Sequence, residues 1–362
     1  MSIITYKNLQ VESSPSGEGG IALTNNFKTI ADNMLKINDN SSLQIDSGGN
    51  SRGTNSIDLQ QTRSNGNQVA SGTYGFIAGG ANNRITGNYG HAEGFGTLSA
   101  GDYCHAEGYN TIAGTQSPYV HGNYSHAEGY GTQTTGTASH AEGYQTSATN
   151  DYTHAEGYQT NAYGGHAEGS GTTAYGAFTH SEGIGTFAGS DYSHTEGIRC
   201  QTIGYGGNHA EGIDAKSENY GEHTASSGKF SNLGDAQYSR IVFFGTTINN
   251  TQTEIFPGNN SNYRVIIPTD TTWGFVGWIV ARRTDSDNES AFYEVKGAID
   301  NNNNTVALVG AITNTVVNRD SVAWVVDVQA DNSNKSIAVK VTGENAKNIR
   351  WVATLNLVQV TG

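Results

Sequence analysis

The sequence predicts an all-β chain in three parts: a short N-terminal helix, a parallel β-solenoid of 14-residue coils, and a C-terminal antiparallel β-sandwich. Three observations carry this. The tetrapeptide His-Ala-Glu-Gly, strict or nearly so, recurs at His91, His105, His126, His140, His154, His166, His180, His194 and His209. The steps between these histidines are 14, 21, 14, 14, 12, 14, 14 and 15 residues, a period too short for a helical repeat and suited to stacked β-coils. From Tyr238 onward the texture changes to short β-rich runs divided by polar turns, the pattern of an antiparallel sandwich.

At the N-terminus, Leu23, Phe27, Ile30, Met34 and Ile37 are spaced 4, 3, 4 and 3, which is a heptad seam. Two heptads make only a marginal helix in water, so this segment expects either a partner surface or a short three-stranded coil. Residues 1–40 therefore read as an attachment segment. Residues 41–67, rich in Ser, Asn, Gly and Asp, read as linker and cap.

Residues 68–234 are the repeat domain. YGFIAGG at 74–80 aligns with YGHAEGF at 89–95 and forms an atypical first coil, in which Phe76 stands for His and Ala78 for Glu. In the copy HAEGYQTSATNDYT at 140–153, strand alternation places His140, Glu142 and Tyr144 on one face and Ala141 on the other. The second position of the repeat is Ala, Ser or Thr, the seventh is mostly Thr, and the ninth is Ala, Ser or Thr. These small residues suit the inside of a narrow coil, and the large ones then face outward. Such a coil buries little apolar area, so association with other chains is expected to support it.

Residues 235–362 hold the strand-like runs SRIVFF, YRVIIP, WGFVGWIVARR, SAFYEVKGAI, TVALVG, SVAWVVDVQ, SIAVKV and IRWVATLNLVQV. Turns such as PGNNSN, TDSDN, DNNNN and ADNSNK separate them.

Bulk composition excludes several classes. Glycine numbers 48 against 4 prolines, without the three-residue period of collagen. Nineteen basic against 33 acidic residues give a net charge of −14, which disfavours nucleic acid as a partner. Cys104 and Cys200 lie many coils apart, so neither a disulfide framework nor a CxxC zinc site is expected. MSIITYKNLQVESS lacks the pattern of a secretory signal, and no run of about 18 apolar residues is present to insert into a membrane.

The His and Glu columns invite a catalytic or metal-binding reading. Catalysis needs a unique constellation, however, and nine near-identical copies read as a structural ladder. HExxH and GxSxG are both absent. Neither catalytic residues, nor a metal, nor a cofactor is assigned, and the chain is expected not to be an enzyme. Stacked carboxylates about 4.8 Å apart repel by roughly 3 to 4 kcal/mol at an effective dielectric near 20, so each needs a partner. The ladder comprises His91 with Glu93, His105 with Glu107, His126 with Glu128, His140 with Glu142, His154 with Glu156, His166 with Glu168, His180 with Glu182, His194 with Glu196, and His209 with Glu211. Its expected role is a polar seam between subunits, with each Glu bonded to a His of its own chain or of a neighbouring one. Tyr109, Tyr130, Tyr144 and Tyr158 follow the motif glycine and are expected to pack the coils together, a glycan-stacking surface being the lesser alternative. Trp273, Trp278, Trp324 and Trp351 fit core positions. Trp273, Arg282 and Arg283 are the residues offered as receptor-binding candidates, with surface ion pairs the commoner role for the two arginines.

SHAEGYGT at 125–132 and THAEGYQT at 153–160 resemble the head repeats of trimeric bacterial adhesins, whose motif is Ser-Val-Ala-Ile-Gly followed by a small-residue strand. The resemblance implies three left-handed parallel β-rolls about a threefold axis, with His and Glu here in the places of apolar residues. Those adhesins carry a secretion signal and a membrane anchor that this sequence does not show. The flanking segments resemble phage tail-fibre and appendage proteins instead: GEGGIALTNNFKTIAD at 17–32 their virion-proximal part, QVASGTYGFIAGGANN at 68–83 the start of the rolls, and GDAQYS, IVARR, ESAFYE, ALVG and VTGENAKNIRWVA a distal fibre β-domain. This implies a homotrimeric virion component, made in the host cytoplasm. Its N-terminus meets a tail or baseplate protein, its roll is a spacer of roughly 50 Å for about ten coils, and its C-terminal domain binds a host surface glycan or protein. The rival readings are a tailspike-like enzyme that degrades polysaccharide or cleaves itself, and a cellular adhesin.

Overall fold

The computed structural model describes residues 36–37, 40–46, 48–115, 122–286 and 289–362. The chain divides into two compact units, residues 1–158 and 159–362. Most of the heptad seam lies outside the described residues. Its last member, Ile37, is extended and not helical: Lys36–Ile37 pairs antiparallel with Leu43–Gln44.

The described chain is all-β, and its solenoid makes about 13 turns. In the first unit each full coil holds one strand of five residues, such as His126–Tyr130, and one of two residues, such as Gln133–Thr134. Both stack in parallel on the next coil with identical positions in register, His126 on His140 and Gln133 on Ser147. Across the 21-residue step from His105 the register holds, with His105 opposite His126 and Ile112 opposite Gln133. Parallel pairing already begins at Leu43–Gln44, runs through Ile57–Asp58 and Phe76–Ile77, and reaches His91. The solenoid therefore starts inside the stretch read from sequence as linker and cap.

The first coils are held by a buried charge cluster. Asp58 accepts from Arg52 Nε at 3.0 Å and from Arg63 Nη2 at 3.1 Å, and Arg63 also pairs with Asp46. Arg52 further donates to the carbonyls of Gly48, Asn50 and Asp46, so its charge is hydrogen-bonded throughout although burial pulls its pKa down.

In the second unit the coils continue through Gly165–Ser170, Thr179–Ile184, His194–Thr195, His209–Ile213 and His223–Ser227. This last strand then pairs antiparallel with Ala236–Thr247, carrying the solenoid sheet directly into the C-terminal sandwich. The larger sandwich sheet orders Ala236–Thr247, Ile349–Thr361, Thr271–Arg283 and Ser290–Asn302, with Thr305–Leu308 and Thr313–Arg319 along the last of these. The smaller sheet is built on Ser336–Thr342, flanked by Gln252–Ile255 and Val265–Ile266 on one side and Val325–Asp331 on the other. Ile241, Phe243, Ile279, Tyr293, Trp324, Trp351 and Leu355 fill the core between them.

Candidate functional site

Alternation along the five-residue strands sorts the repeat into two faces. Ala92, Ala106, Ala127, Ala141 and Ala155 are fully buried, while the motif His and Glu two residues apart face outward and are half-buried in the single chain. From His91 to His180, each imidazole Nε2 lies 3.3 to 3.9 Å from the carboxylate of its own coil. These contacts reach hydrogen-bond distance at His105, His126 and His154, whereas the Nε2 of His91, His140 and His180 makes no hydrogen bond. In the first unit the rings of His91, His105, His126, His140 and His154 stack at 4.5 to 4.9 Å. In the second, His166, His180, His194, His209 and His223 stack at 4.5 to 4.8 Å.

Sequence reasoning missed His223, because its coil reads HTAS and lacks the glutamate. At this end the pairing shifts by one coil: His209 Nε2 is 3.3 Å from Glu196 and His223 Nε2 is 3.3 Å from Glu211. Burial and the neighbouring imidazoles hold His91 and His194 below the ordinary histidine pKa, against the opposing pull of nearby glutamates.

The motif glycine is required twice over. Gly143 has φ 113°, and a Cβ there would come within 2.2 Å of the Gly157 carbonyl on the next coil. The adjoining aromatic positions form the expected column: Phe95, Tyr109, Tyr130, Tyr144 and Tyr158 stack at 4.9 to 5.3 Å. Because the rings lie face to face, they present edges to solvent, and their faces are unavailable for sugar stacking. A second column went unread: Tyr74, Tyr89, Tyr103 and Tyr124, stacked at 4.8 to 5.1 Å. The last three stand two residues before a motif His, and all four adopt left-handed φ between 55° and 59°. The signal was present in NYGH, DYCH and NYSH. So was the Asx position before each Tyr: Asp102 accepts from the Asn88 amide and Asn123 from the Asp102 amide, tying one coil to the next. Cys104 and Cys200 are each buried and free.

In the sandwich, the receptor-binding candidates do not form one surface. Trp273 is buried, with its indole N–H on Gln359 at 2.8 Å, and this corrects its assignment as a receptor-binding candidate. Arg283 is committed to Asp285 at 2.7 Å and Glu289 at 2.9 Å, and Lys347 bridges Glu289 to Glu344. These partners raise the arginine pKa and lower those of the carboxylates. Arg282 is exposed, and its cross-strand neighbours are Arg350 and Ser290.

The outer face of the larger sheet carries exposed Tyr238, Val242, Phe244, Val276, Trp278, Val280, Val352, Val358 and Val360. Register brings Val242, Thr354, Trp278 and Glu294 into one row and Phe244, Val352, Val280 and Phe292 into the next. A groove in this face is lined by Tyr238, Arg240, Val242, Val276, Trp278, Thr354 and Asn356. Sequence held the clue in WGFVGWIVARR, where both alternating sets are largely apolar and only one can be core.

No protein-family model matches the chain, and no curated protein is similar to it. Among solved structures, the chain is similar to a tailspike protein, gp49 of the Acinetobacter baumannii bacteriophage Fri1, a capsular polysaccharide depolymerase. The identity is 10%, the TM-score is 0.22, and the match covers 83% of this chain and 60% of that one, so the chain spans less than two thirds of that protein. That neighbour is an enzyme, which stands against the expectation that this chain is not one.

Proposed function

We propose that the chain is a phage tail appendage, a homotrimeric virion component that engages a host surface glycan through its C-terminal sandwich. The observation that carries this reading is the continuity of one outward sheet face in the second unit. The His ladder ends at His223, whose cross-strand neighbour is Arg240, and the same face then becomes the apolar surface around Val242, Trp278 and Val352. An uncovered apolar face of this extent marks an interface, and a second and third copy of the chain are its occupants in this proposal. The loops and edges of the sandwich are left to meet the host. The N-terminal segment docks on a tail or baseplate protein, a role supported by its resemblance to virion-proximal fibre segments.

The second reading is that the appendage also cleaves the polysaccharide it meets. One experiment addresses both. The purified full-length chain is weighed by light scattering, then incubated with capsular polysaccharides from a panel of bacteria while binding and reducing-end release are followed. A trimer that binds one capsule without releasing ends supports the leading reading, and release of ends supports the second. A monomer that retains no glycan overturns both.

A further inference from the structure

We propose that Glu182, His194 and Glu196 form a binding site for a divalent metal ion of the zinc class. The coil that carries them departs from the repeat. Its strand is only His194–Thr195, whereas the other ladder strands from His91 to His223 run five or six residues. Glu196 lies just beyond that short strand, and its carboxylate turns to His209 of the next coil at 3.3 Å. His194 is left as the one ladder imidazole, among the described residues, with no carboxylate oxygen within 4.0 Å.

Its Nε2 has almost no solvent contact and makes no hydrogen bond. One oxygen of Glu182, one of Glu196 and one ring nitrogen of His194 all lie within 4.8 Å of one another. Glu182 comes from the preceding coil, where it is 3.7 Å from His180. The imidazoles of His180 and His209 stack on either side of His194 at 4.7 and 4.8 Å, fixing its plane.

Chemistry selects the ligand. One neutral imidazole with two carboxylates carries a formal charge of −2, and the mixed nitrogen and oxygen donors suit zinc or a similar first-row ion better than calcium or magnesium. Zinc bonds of about 2.0 to 2.2 Å require the three donors to draw in by roughly an ångström. Both glutamate side chains are part-exposed, and drawing in would exchange their contacts to His180 and His209 for the ion. Elsewhere in the ladder an imidazole Nε2 such as that of His91, His140 or His209 also makes no hydrogen bond, but each has a carboxylate oxygen within 4.0 Å. In the other group with three ligand atoms this close, His209, Glu211 and His223, the Glu211 carboxylate is already 3.3 Å from His223. A bound ion would close the break in the ladder at this coil.

The test uses the full-length chain, stripped with a chelator and titrated with zinc against a chromophoric indicator, with cobalt as a spectroscopic stand-in. One ion per chain and a cobalt spectrum of a nitrogen and oxygen site are expected. His194→Gln and Glu182→Gln should each weaken binding by about a hundredfold or more, while His140→Gln, in a coil with an intact pair, should leave it unchanged. Circular dichroism of each variant confirms folding. Equal loss in His140→Gln, unchanged binding in His194→Gln, or no zinc retained at micromolar concentration would each overturn the site. None of these results depends on the oligomeric state or on glycan binding.

Discussion

At the residue scale the repeat balances strain against stacking. A non-glycine residue in the left-handed region costs about 1 to 2 kcal/mol, and Tyr89, Tyr103 and Tyr124 all sit there. Each stacked pair returns about 0.5 to 1.5 kcal/mol, and Tyr103 stacks on both neighbours. Tyr103→Ala keeps the strain and loses both stacks, whereas Tyr103→Gly loses the stacks and relieves the strain. The glycine variant should therefore be the more stable by about 1 kcal/mol, read as the difference in urea midpoints. Repetition of Tyr before the motif was plain in the sequence, but the backbone conformation that makes its choice costly was not.

His91 supplies a pH prediction. Its folded pKa is lowered by burial and by His105, so the unfolded chain binds more protons as pH falls. Stability therefore rises with pH: the contribution is complete above the unfolded value near about 6.5 and is lost as pH falls through the folded value. Glu222, raised by burial, has the opposite sign and loses its contribution as pH rises. It is common to both proteins in a comparison of wild type with His91→Gln. Between pH 7.5 and 5.5 the urea midpoint of the variant should fall less than that of wild type. An equal fall in both would show that His91 titrates alike in the two states.

At the scale of the element, the coil is held by small residues and hydrogen bonds more than by apolar burial. The Ala column and the seventh-position Thr were legible as interior because strand alternation leaves them no other place. Their hydroxyls were not: the Oγ1 of Thr111, Thr132 and Thr146 is buried without a hydrogen-bond partner. An unmet buried hydroxyl costs about 1 to 3 kcal/mol, so Thr146→Val should stabilise the chain by about 1 kcal/mol in a thermal melt. At the first coils the reverse applies. Asp58→Ala leaves Arg52 and Arg63 facing each other without their shared carboxylate, a loss of about 3 to 5 kcal/mol. Amide exchange should speed up across residues 43–77 while the later coils keep their protection. No sequence period announces this cluster, since its charges come from an aperiodic stretch and meet only when the chain coils.

For the whole molecule, the order of solenoid and sandwich was legible from texture alone, and the direct strand pairing between His223–Ser227 and Ala236–Thr247 was not. Hydrophobic alternation identifies a strand, but it does not say whether its second face is covered. In Thr271–Arg283 the inward set of Trp273, Phe275, Ile279 and Ala281 is buried, and the outward set of Val276, Trp278 and Val280 is exposed. Covering a side chain of that size is worth about 1.5 to 3 kcal/mol, so a face of nine such residues would stabilise the proposed trimer. Trp278→Glu places a charge in the middle of that face without entering the core. Light scattering should report a monomer for the variant and a trimer for wild type, and near-ultraviolet dichroism from the buried Trp273, Trp324 and Trp351 should be retained. A Trp278→Glu protein that stays trimeric would move the interface off this sheet and onto the ladder.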